Sequence, residues 1–194
     1  MEGLEIKGEK LLSCKSKEEL ICVPEGIHCI CAEAFKRCTK LKKVVLPLSL
    51  ERIEAQAFKG CRQLETINFP ENLHYIGPYA FHRCNHLKEI ELPSSITELS
   101  DCAFLYCDNL EFAKLPNVEI LGKHIFVNAM NLKKLMISSK LTPDCISDTF
   151  TGCVKISEII VDNHIYKIDN LISVMEKEQE VPKIVSAIIK DIYH

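Results

Sequence analysis

The sequence lacks the features that mark several common classes of protein. It has no surplus of basic residues, because 24 lysines and arginines face 27 aspartates and glutamates, and the net charge of −3 argues against a general nucleic-acid binder. No apolar run approaches the roughly 18 residues that a membrane-spanning helix requires. The N-terminus lacks the basic segment and continuous apolar core of a signal peptide, so we predict a cytoplasmic chain.

Signatures of catalytic chemistry are scarce as well. The sequence contains no glycine-rich phosphate-binding loop and no serine-nucleophile motif. We therefore predict that the chain is not an enzyme and that it holds no cofactor and no metal. Tryptophan is absent, which weakens the case for a sugar-binding protein, because sugars stack on exposed aromatic rings. The apolar fraction of 47% is high enough for a substantial core, so global disorder is excluded.

The main positive feature is an internal repeat. Residues 80–93 have the sequence AFHRCNHLKEIELP, and two earlier stretches, AFKGCRQLETINFP and AFKRCTKLKKVVLP, match it closely. Three weaker copies follow. Successive phenylalanines at spacings of 23, 23, 23, 22 and 24 residues mark the period: Phe35, Phe58, Phe81, Phe104, Phe126 and Phe150. Repetition at this period predicts a solenoid, in which each coil buries its apolar face against its neighbours.

Each copy divides into two half-turns. Ile90 and Leu92 alternate with polar residues before Pro93, which predicts a short strand with one buried face that ends at the proline. A Leu-x-x-Ile half-turn follows, and then an Ala-Phe-x-x-Cys segment, which suits one helical turn with Phe and Cys on its inner side. We predict a mostly β protein of the α/β class. It would be a solenoid of about six 23-residue turns with a parallel sheet on one side and short helical turns on the other.

Cysteines follow the repeat. Five of the 11 occupy its period: Cys38, Cys61, Cys84, Cys107 and Cys153. Equivalent residues on neighbouring parallel strands lie about 5 Å apart, so these side chains would stack in one column. Because a free thiol behaves as a small buried hydrophobe, we interpret the column as a ladder of free thiols in a reducing compartment. A disulfide framework is the alternative.

The two ends of the sequence depart from the repeat. Residues 1–23 fit two short strands joined at Gly8, and we predict an N-terminal β cap, followed by the solenoid in residues 24–163. Residues 164–194 contain two apolar stripes at helical spacing: Ile168, Leu171, Ile172 and Met175, then Ile184, Val185, Ile188, Ile189 and Ile192. We predict a C-terminal helical cap. The alternative is an exposed helix that binds a partner or forms a weak oligomer.

The repeat resembles the BspA-like class of leucine-rich repeats, found widely in bacterial proteins. The pattern C-x-x-L-x-x-[IV]-x-[LF]-P-x-x-[LI]-x-x-I-x-x-x-A-F-x-x-C extends from residue 4 to about residue 163 and departs from itself at Ala129, Ser138 and Ile156. The resemblance implies a curved solenoid that serves as a binding surface, often in adhesion or host interaction, without common catalytic residues. Many members are exported or surface-anchored, which is the alternative to a cytoplasmic location.

One face of the predicted sheet is the strongest candidate for a binding surface. Strand residues that point away from the core form two columns: Lys43, Thr66, Glu89, Phe112, Lys134 and Glu158, and beside them Val45, Asn68, Glu91, Lys114, Met136 and Ile160. Solenoids build extended recognition surfaces from such columns. We predict that this face binds a protein partner, with Phe112 and Met136 as apolar anchors. A glycan-binding module is the alternative function. A further alternative is that this face is an ordinary solvated surface without a binding role.

Four further patterns were weighed. A basic ridge follows the helical-turn edge and could bind an acidic partner: Lys36, Arg37, Lys40, Lys59, Arg62, His82, Arg83 and His86. His82 and His86 flank Cys84, but that cysteine belongs to the inward ladder, which disfavours a metal site. Cys29-x-Cys31 suggests a redox pair, although such residues more often lie apart. Glu89 and Glu91 suggest a glycosidase pair, although an open sheet offers no pocket.

Overall fold

The computed structural model describes residues 3–146, 148–168 and 181–193. This part of the chain contains 15 β-strands, a 3-10 turn at Pro143–Cys145 and one α-helix, α1 (Lys183–Ile192). The strands are β1 (Leu4–Lys7), β2 (Lys10–Cys14), β3 (Leu20–Cys22), β4 (Cys29–Ile30), β5 (Lys43–Val45), β6 (Arg52–Ile53), β7 (Thr66–Ile67), β8 (Tyr75–Ile76), β9 (Glu89–Glu91), β10 (Glu98–Leu99), β11 (Phe112–Leu115), β12 (Ile120–Leu121), β13 (Lys134–Ile137), β14 (Glu158–Val161) and β15 (His164–Lys167).

Two rows of parallel strands enclose the core. We call the row β3, β5, β7, β9, β11, β13 and β14 the open sheet, and the row β2, β4, β6, β8, β10 and β12 the back sheet. Neighbouring strands keep the register of the repeat, so that Lys43 faces Thr66 in the open sheet and Arg52 faces Tyr75 in the back sheet. Antiparallel partners terminate both rows, since β1 pairs with β2 and β15 pairs with β14.

The lead-in sequence contributes a coil of its own. β2 pairs in parallel with β4, and β3 pairs in parallel with β5, so residues 10–22 have the same path as a repeat. The solenoid therefore has about seven turns, one more than the phenylalanine count predicts, and the predicted parallel solenoid is confirmed. The predicted hairpin at the N-terminus is confirmed as β1–β2, with Gly8 in the left-handed region at a φ of 58°.

One column of aromatic rings occupies the centre of the core. The six repeated phenylalanines are fully buried, and their ring centroids are 4.7–5.8 Å apart in sequence order. Their planes differ by only 4–18°, which is the stacked arrangement that a strict coil-to-coil register imposes. The stack confirms that equivalent side chains of successive coils lie on one another.

The predicted thiol ladder lies beside the rings. The sulphur atoms of Cys61, Cys84, Cys107 and Cys153 each donate to the carbonyl oxygen of the phenylalanine one coil earlier, at 3.0–3.3 Å. All 11 cysteines are unbonded, and each lies in the described ranges. Burial raises the pKa of Cys61 and of Cys153 to about 12, so these thiols are protonated and inert at neutral pH.

The Ala-Phe-x-x-Cys segment is a turn of unusual backbone geometry rather than a turn of α-helix. Gln56 has a φ of 58° and Gly60 a φ of 76°, with Phe58 between them. With this geometry the N–H groups of Gln56, Phe58 and Gly60 point at the next coil. They donate to the carbonyls of residues 78, 80 and 82 at 2.8–3.0 Å. Non-glycine residues rarely adopt a positive φ, and the hydrogen bonds along the solenoid axis compensate for its cost.

Asp191 terminates this hydrogen-bond system. In the described ranges no coil follows the one that contains Phe150, so the N–H groups of its turn have no next coil whose carbonyls could accept from them. The Asp191 carboxylate accepts from the N–H groups of Asp148 at 2.7 Å, Thr149 at 2.8 Å and Phe150 at 2.5 Å. One side chain of α1 therefore replaces the missing coil for Asp148 and Phe150, the equivalents of Gln56 and Phe58.

Helix α1 covers the end of the core. Five of its apolar side chains are at most 5% exposed: Ile184, Val185, Ile188, Ile189 and Ile192. The helical cap is confirmed for this segment, whose apolar stripe is not exposed, and the possible weak oligomer stays a prediction. The other predicted stripe, beyond Ile168, falls outside the described residues. No helix in the described ranges is long and apolar enough to cross a membrane.

We expect Phe81→Ala to destabilise the chain by about 3–5 kcal/mol, because it removes a fully buried ring from the middle of the stack and leaves a cavity. Urea denaturation measures the loss. Phe112→Ala is the matched control, since that ring is only half-buried on the open sheet, and it should cost about 1 kcal/mol or less. Equal losses for the two variants would contradict a central phenylalanine column.

We expect Asp191→Ala to lower the free energy of unfolding by about 1–3 kcal/mol, because three N–H groups lose their acceptor. Amide hydrogen exchange at residues 148 and 150 should accelerate at the same time, while exchange at Phe58 stays slow. Asp144→Ala, at an exposed carboxylate of the 3-10 turn, is the control and should leave both quantities unchanged. Unaltered exchange at residues 148 and 150 would disprove the capping role.

Candidate functional site

The open sheet presents the two predicted columns of side chains. In the first column Glu89 faces Phe112, and Phe112 faces Lys134. All ten predicted binding residues lie on this face: Lys43, Val45, Thr66, Asn68, Glu89, Glu91, Phe112, Lys114, Lys134 and Met136. Their role in binding stays a prediction. Sequence reasoning missed Leu20, which is 52% exposed and precedes Lys43 in the first column.

Several of these side chains contact charged or aromatic side chains of the neighbouring coil. The Lys114 ammonium lies 3.2 Å from the Glu91 carboxylate, and Lys134 lies 3.8 Å from Glu158. The Lys134 ammonium is also 6.0 Å from the centre of the Phe112 ring, a cation–π distance. Ile160 is only 6% exposed, so the prediction that it lies solvent-exposed on the outer face is wrong; it pairs with Ile165 of β15.

The open sheet is interrupted between β7 and β9. At the next junction, the N–H groups of Glu111 and Phe112 both donate to the Lys88 carbonyl, at 2.7 and 3.3 Å. Within residues 3–146, the equivalent N–H groups of Lys88 and Glu89 make no bond to the Glu65 carbonyl. The single continuous sheet that the repeat predicts is therefore divided in two.

The back sheet is interrupted at the same junction, between β8 and β10. The turn edge remains closed, because the N–H groups of Tyr79, Phe81 and Arg83 bond the next coil at 2.8–3.0 Å. The core is continuous as well, with the Phe81 and Phe104 rings 5.2 Å apart. The two coils thus separate at their sheets while they stay joined at their turns and rings.

A cleft of about 620 Å³ occupies the gap in the open sheet. Four carboxylates and two ammonium groups surround it: Glu65, Glu71, Glu89 and Glu91 with Lys88 and Lys114. Ile67 and Phe69 are half-buried at its base. The site is therefore an acidic cleft with an apolar base, which corrects our expectation that Glu89 and Glu91 lie on a sheet without a pocket.

Two side chains of the preceding coil account for the gap. Phe69 stands where neighbouring coils have Leu46 or Leu92, and its larger ring packs edge-on against Phe81 with centroids 5.6 Å apart. Asn68 accepts from the Leu46 N–H at 2.7 Å and donates to the Leu46 carbonyl at 3.0 Å, which holds β7 toward β5. The sequence signal is the change from Val-Leu-Pro and Glu-Leu-Pro to Asn-Phe-Pro.

The predicted basic ridge is present on the turn edge, but much of its charge is engaged. Lys36 forms an ion pair with Glu33 at 2.6 Å, and the Lys59 ammonium lies 5.3 Å from the Tyr79 ring centre. His82 packs between the rings of Tyr79 and Tyr106. Burial, reinforced by the charges of Lys59 and Arg83, lowers the pKa of His82 to about 4, so it adds no charge at neutral pH.

The two remaining patterns are the histidines that flank Cys84 and the Cys29-x-Cys31 pair. The thiol of Cys84 points into the core, toward the Phe58 carbonyl, and no metal-binding cluster of His, Cys, Asp or Glu occurs among the residues described. Cys29 lies on β4, Cys31 follows that strand directly, and both thiols are unbonded and half-buried, so the redox pair stays a hypothesis. Burial and the neighbouring Cys31 raise the pKa of Cys29 to about 11, which disfavours thiolate chemistry there.

The family follows from the sequence comparison. The model of the BspA type leucine-rich repeat region matches in 6 copies, over residues 6–133 and 102–173. The chain belongs to the BspA-type leucine-rich repeat family. Among curated proteins, none matches the sequence significantly.

Solved leucine-rich repeat structures share the fold of this BspA-type chain. The leucine-rich repeat protein of T. pallidum has a TM-score of 0.68 at 24% identity, over 79% of this chain and 75% of that one. A protein from Bacteroides ovatus gives 0.52 at 21%, over 78% and 47%. The pneumococcal vaccine antigen PcpA gives 0.52 at 24%, over 81% and 34%. The chain spans less than half of the last two, and identities this low establish the fold alone.

We expect the stability of the chain to fall as the pH is lowered from about 6.5 to about 4. The unfolded state binds a proton at His82 in this window, whereas the folded state does not. The contribution is about 1 kcal/mol after allowance for the partial exposure of the ring. His82→Gln should remove this part of the pH dependence in urea denaturation. A midpoint near pH 6.5 for His82 in an NMR titration of the folded protein would contradict the expectation.

Proposed function

We propose that the chain is a non-catalytic repeat scaffold that binds a protein partner through its open sheet. The observation that carries the proposal is the cleft of about 620 Å³ in the middle of that face. Flat sheet surfaces offer little to anchor a partner, whereas binding energy concentrates where a side chain fills a pocket. The cleft supplies such a pocket within the two columns of Glu89 and Glu91.

The charge of the cleft indicates the kind of partner. Four glutamates surround it against two lysines, and one of those lysines, Lys114, is already paired with Glu91. A segment that carries lysine or arginine therefore complements the rim, and its apolar atoms can contact Ile67 and Phe69 at the base. We propose that the partner presents an extended basic segment.

A second, smaller cleft supports an extended ligand. It has a volume of about 240 Å³ and includes Met136 and Ile160. Lys114 lines both clefts, so the two adjoin along the open sheet. A partner that crosses the strands would contact the acidic cleft first and the apolar Met136 next, which agrees with the predicted anchor role of Met136.

The alternative function, a glycan-binding module of the same fold, requires exposed aromatic rings. The two rings on this face are Phe112, beside the Lys134 ammonium, and Phe69, at the base of the cleft. Neither is freely exposed, so the protein partner is the better supported proposal. Cell fractionation would distinguish a cytoplasmic from a surface-associated location.

We expect peptides selected by the immobilised chain from a random phage library to be rich in lysine and arginine. Isothermal titration with one selected peptide then tests the face. Glu89→Gln combined with Glu91→Gln should weaken binding at least about 10-fold, or about 1.4 kcal/mol, and reduce its salt dependence. Phe112→Ala combined with Met136→Glu should also weaken it.

Ile120→Glu is the matched control for this experiment. Ile120 is 51% exposed on the back sheet, so the variant adds a charge to the opposite face of the same solenoid. Binding should be unchanged. Full affinity in both open-sheet variants, or a loss confined to Ile120→Glu, would move the binding surface away from the open sheet.

A further inference from the structure

The first rung of the thiol ladder differs from all the others. Cys61, Cys84, Cys107 and Cys153 are fully buried beneath a phenylalanine carbonyl of the preceding coil. Cys38 is only half-buried, because the coil before it is the lead-in segment, which has no repeated phenylalanine. Its sulphur lies 3.8 Å from the carbonyl oxygen of Cys14 instead.

A second thiol, that of Cys14, belongs to this end of the ladder. Cys14 is the last residue of β2, and its N–H donates to the Ala34 carbonyl at 2.7 Å, which fixes β2 beside the turn that carries Cys38. The Cys38 sulphur contacts the Cys14 carbonyl oxygen, so the two cysteines are neighbours at this end of the ladder. Both residues are half-buried, so a small solute has access to them.

The contact makes the two sulphur atoms unequal. The neighbouring Cys38 thiol, and to a smaller extent the Ser16 N–H, lower the pKa of Cys14 to about 7 despite its partial burial. The same contact, together with burial, raises the pKa of Cys38. The thiolate of Cys14 is therefore more accessible near neutral pH than that of Cys61, whose pKa burial raises to about 12.

We propose that Cys14 and Cys38 are an oxidisable dithiol, which a hydroperoxide converts into a disulfide between the lead-in hairpin and the first coil. Cys14 is the attacking thiolate and Cys38 the resolving thiol. Cys29 and Cys31, the pair that the sequence suggested, are a poorer candidate, because burial and the neighbouring Cys31 raise the pKa of Cys29 to about 11.

The reaction has two steps. The Cys14 sulphur attacks one peroxide oxygen, so that an S–O bond forms and the O–O bond breaks, and the departing oxygen takes a proton and leaves as an alcohol or water. The Cys38 sulphur then attacks the Cys14 sulphur and loses its proton. The S–S bond forms, the S–O bond breaks, and hydroxide leaves with that proton as water. The dithiol gives up two electrons, and the peroxide accepts them.

The disulfide would close a loop between residues 24 positions apart. Such a loop reduces the conformational freedom of the unfolded chain, and it joins the open end of the solenoid to its terminal hairpin. We expect the oxidised protein to have a higher Tm than the reduced protein, with the increase reversed by dithiothreitol.

The test uses the full chain and hydrogen peroxide at pH 7. After brief oxidation the remaining thiols are alkylated, counted and located by peptide mass mapping. We expect two thiols to disappear together and one linked peptide pair, containing Cys14 and Cys38, to appear. The alkylation rate of Cys14 without peroxide should rise with a midpoint near pH 7.

Three variants complete the design. Cys38→Ser should stop at the first step, so that dimedone labels a sulfenic acid at Cys14. Cys14→Ser should lose the rapid reaction, and Cys22→Ser, which removes an exposed thiol of β3, should behave as the unmodified chain. A first disulfide between Cys29 and Cys31, a bond between two molecules through Cys22, or a rapid reaction that persists in Cys14→Ser would each overturn the proposal. The mapping of the unsubstituted chain decides the matter even where a variant folds poorly.

Discussion

Hydrogen bonds that run along the solenoid axis hold each coil to the next, and the remaining features of the molecule follow from them. In the turns they require a left-handed φ at residues such as Gln56 and Arg37, a conformation that side chains other than glycine rarely adopt. The residues accept it because the N–H groups then reach the carbonyls of the neighbouring coil. The hydrogen-bonding groups of the first and last coils also need partners. Hairpin β1–β2 supplies the first partner, and the Asp191 carboxylate supplies the last.

The acidic cleft exists because one junction departs from this rule. Asn68 uses its side-chain amide to hold β7 against β5, and Phe69 places a ring where other coils have leucine, so β9 pairs with β11 alone. The turns and the ring stack keep the two coils together, and the departure costs ladder hydrogen bonds rather than the fold. Breaks in local regularity of this kind are where functional sites concentrate in otherwise consistent structures. The location of the cleft among the outward columns is the physical reason to associate it with binding.

The sequence predicts the regular part of this molecule well, because the same pattern of residues recurs in successive coils. The spacing of Phe35, Phe58 and Phe81 is enough to predict the stack, and the spacing of the cysteines predicts a ladder of free thiols. The irregular part depends on single residues that differ from the repeated pattern. The consequence of Asn68 and Phe69 for the strand junction, the capping by Asp191 from a distant helix, and the contact of Cys14 with Cys38 all depend on three-dimensional neighbours that spacing does not encode.

The thiol ladder shows how position within a repeat decides chemistry. Inside the solenoid, each cysteine has a backbone carbonyl as its neighbour, and burial holds its proton in place. The N-terminal end differs, because the preceding coil does not follow the repeat there and the carbonyl beside the Cys38 sulphur belongs to another cysteine, Cys14. The pKa of Cys14 is lowered and that of Cys38 is raised, so two identical side chains become unequal. A reactive pair in this fold is therefore expected at the end of the ladder, where the register that protects the other thiols begins.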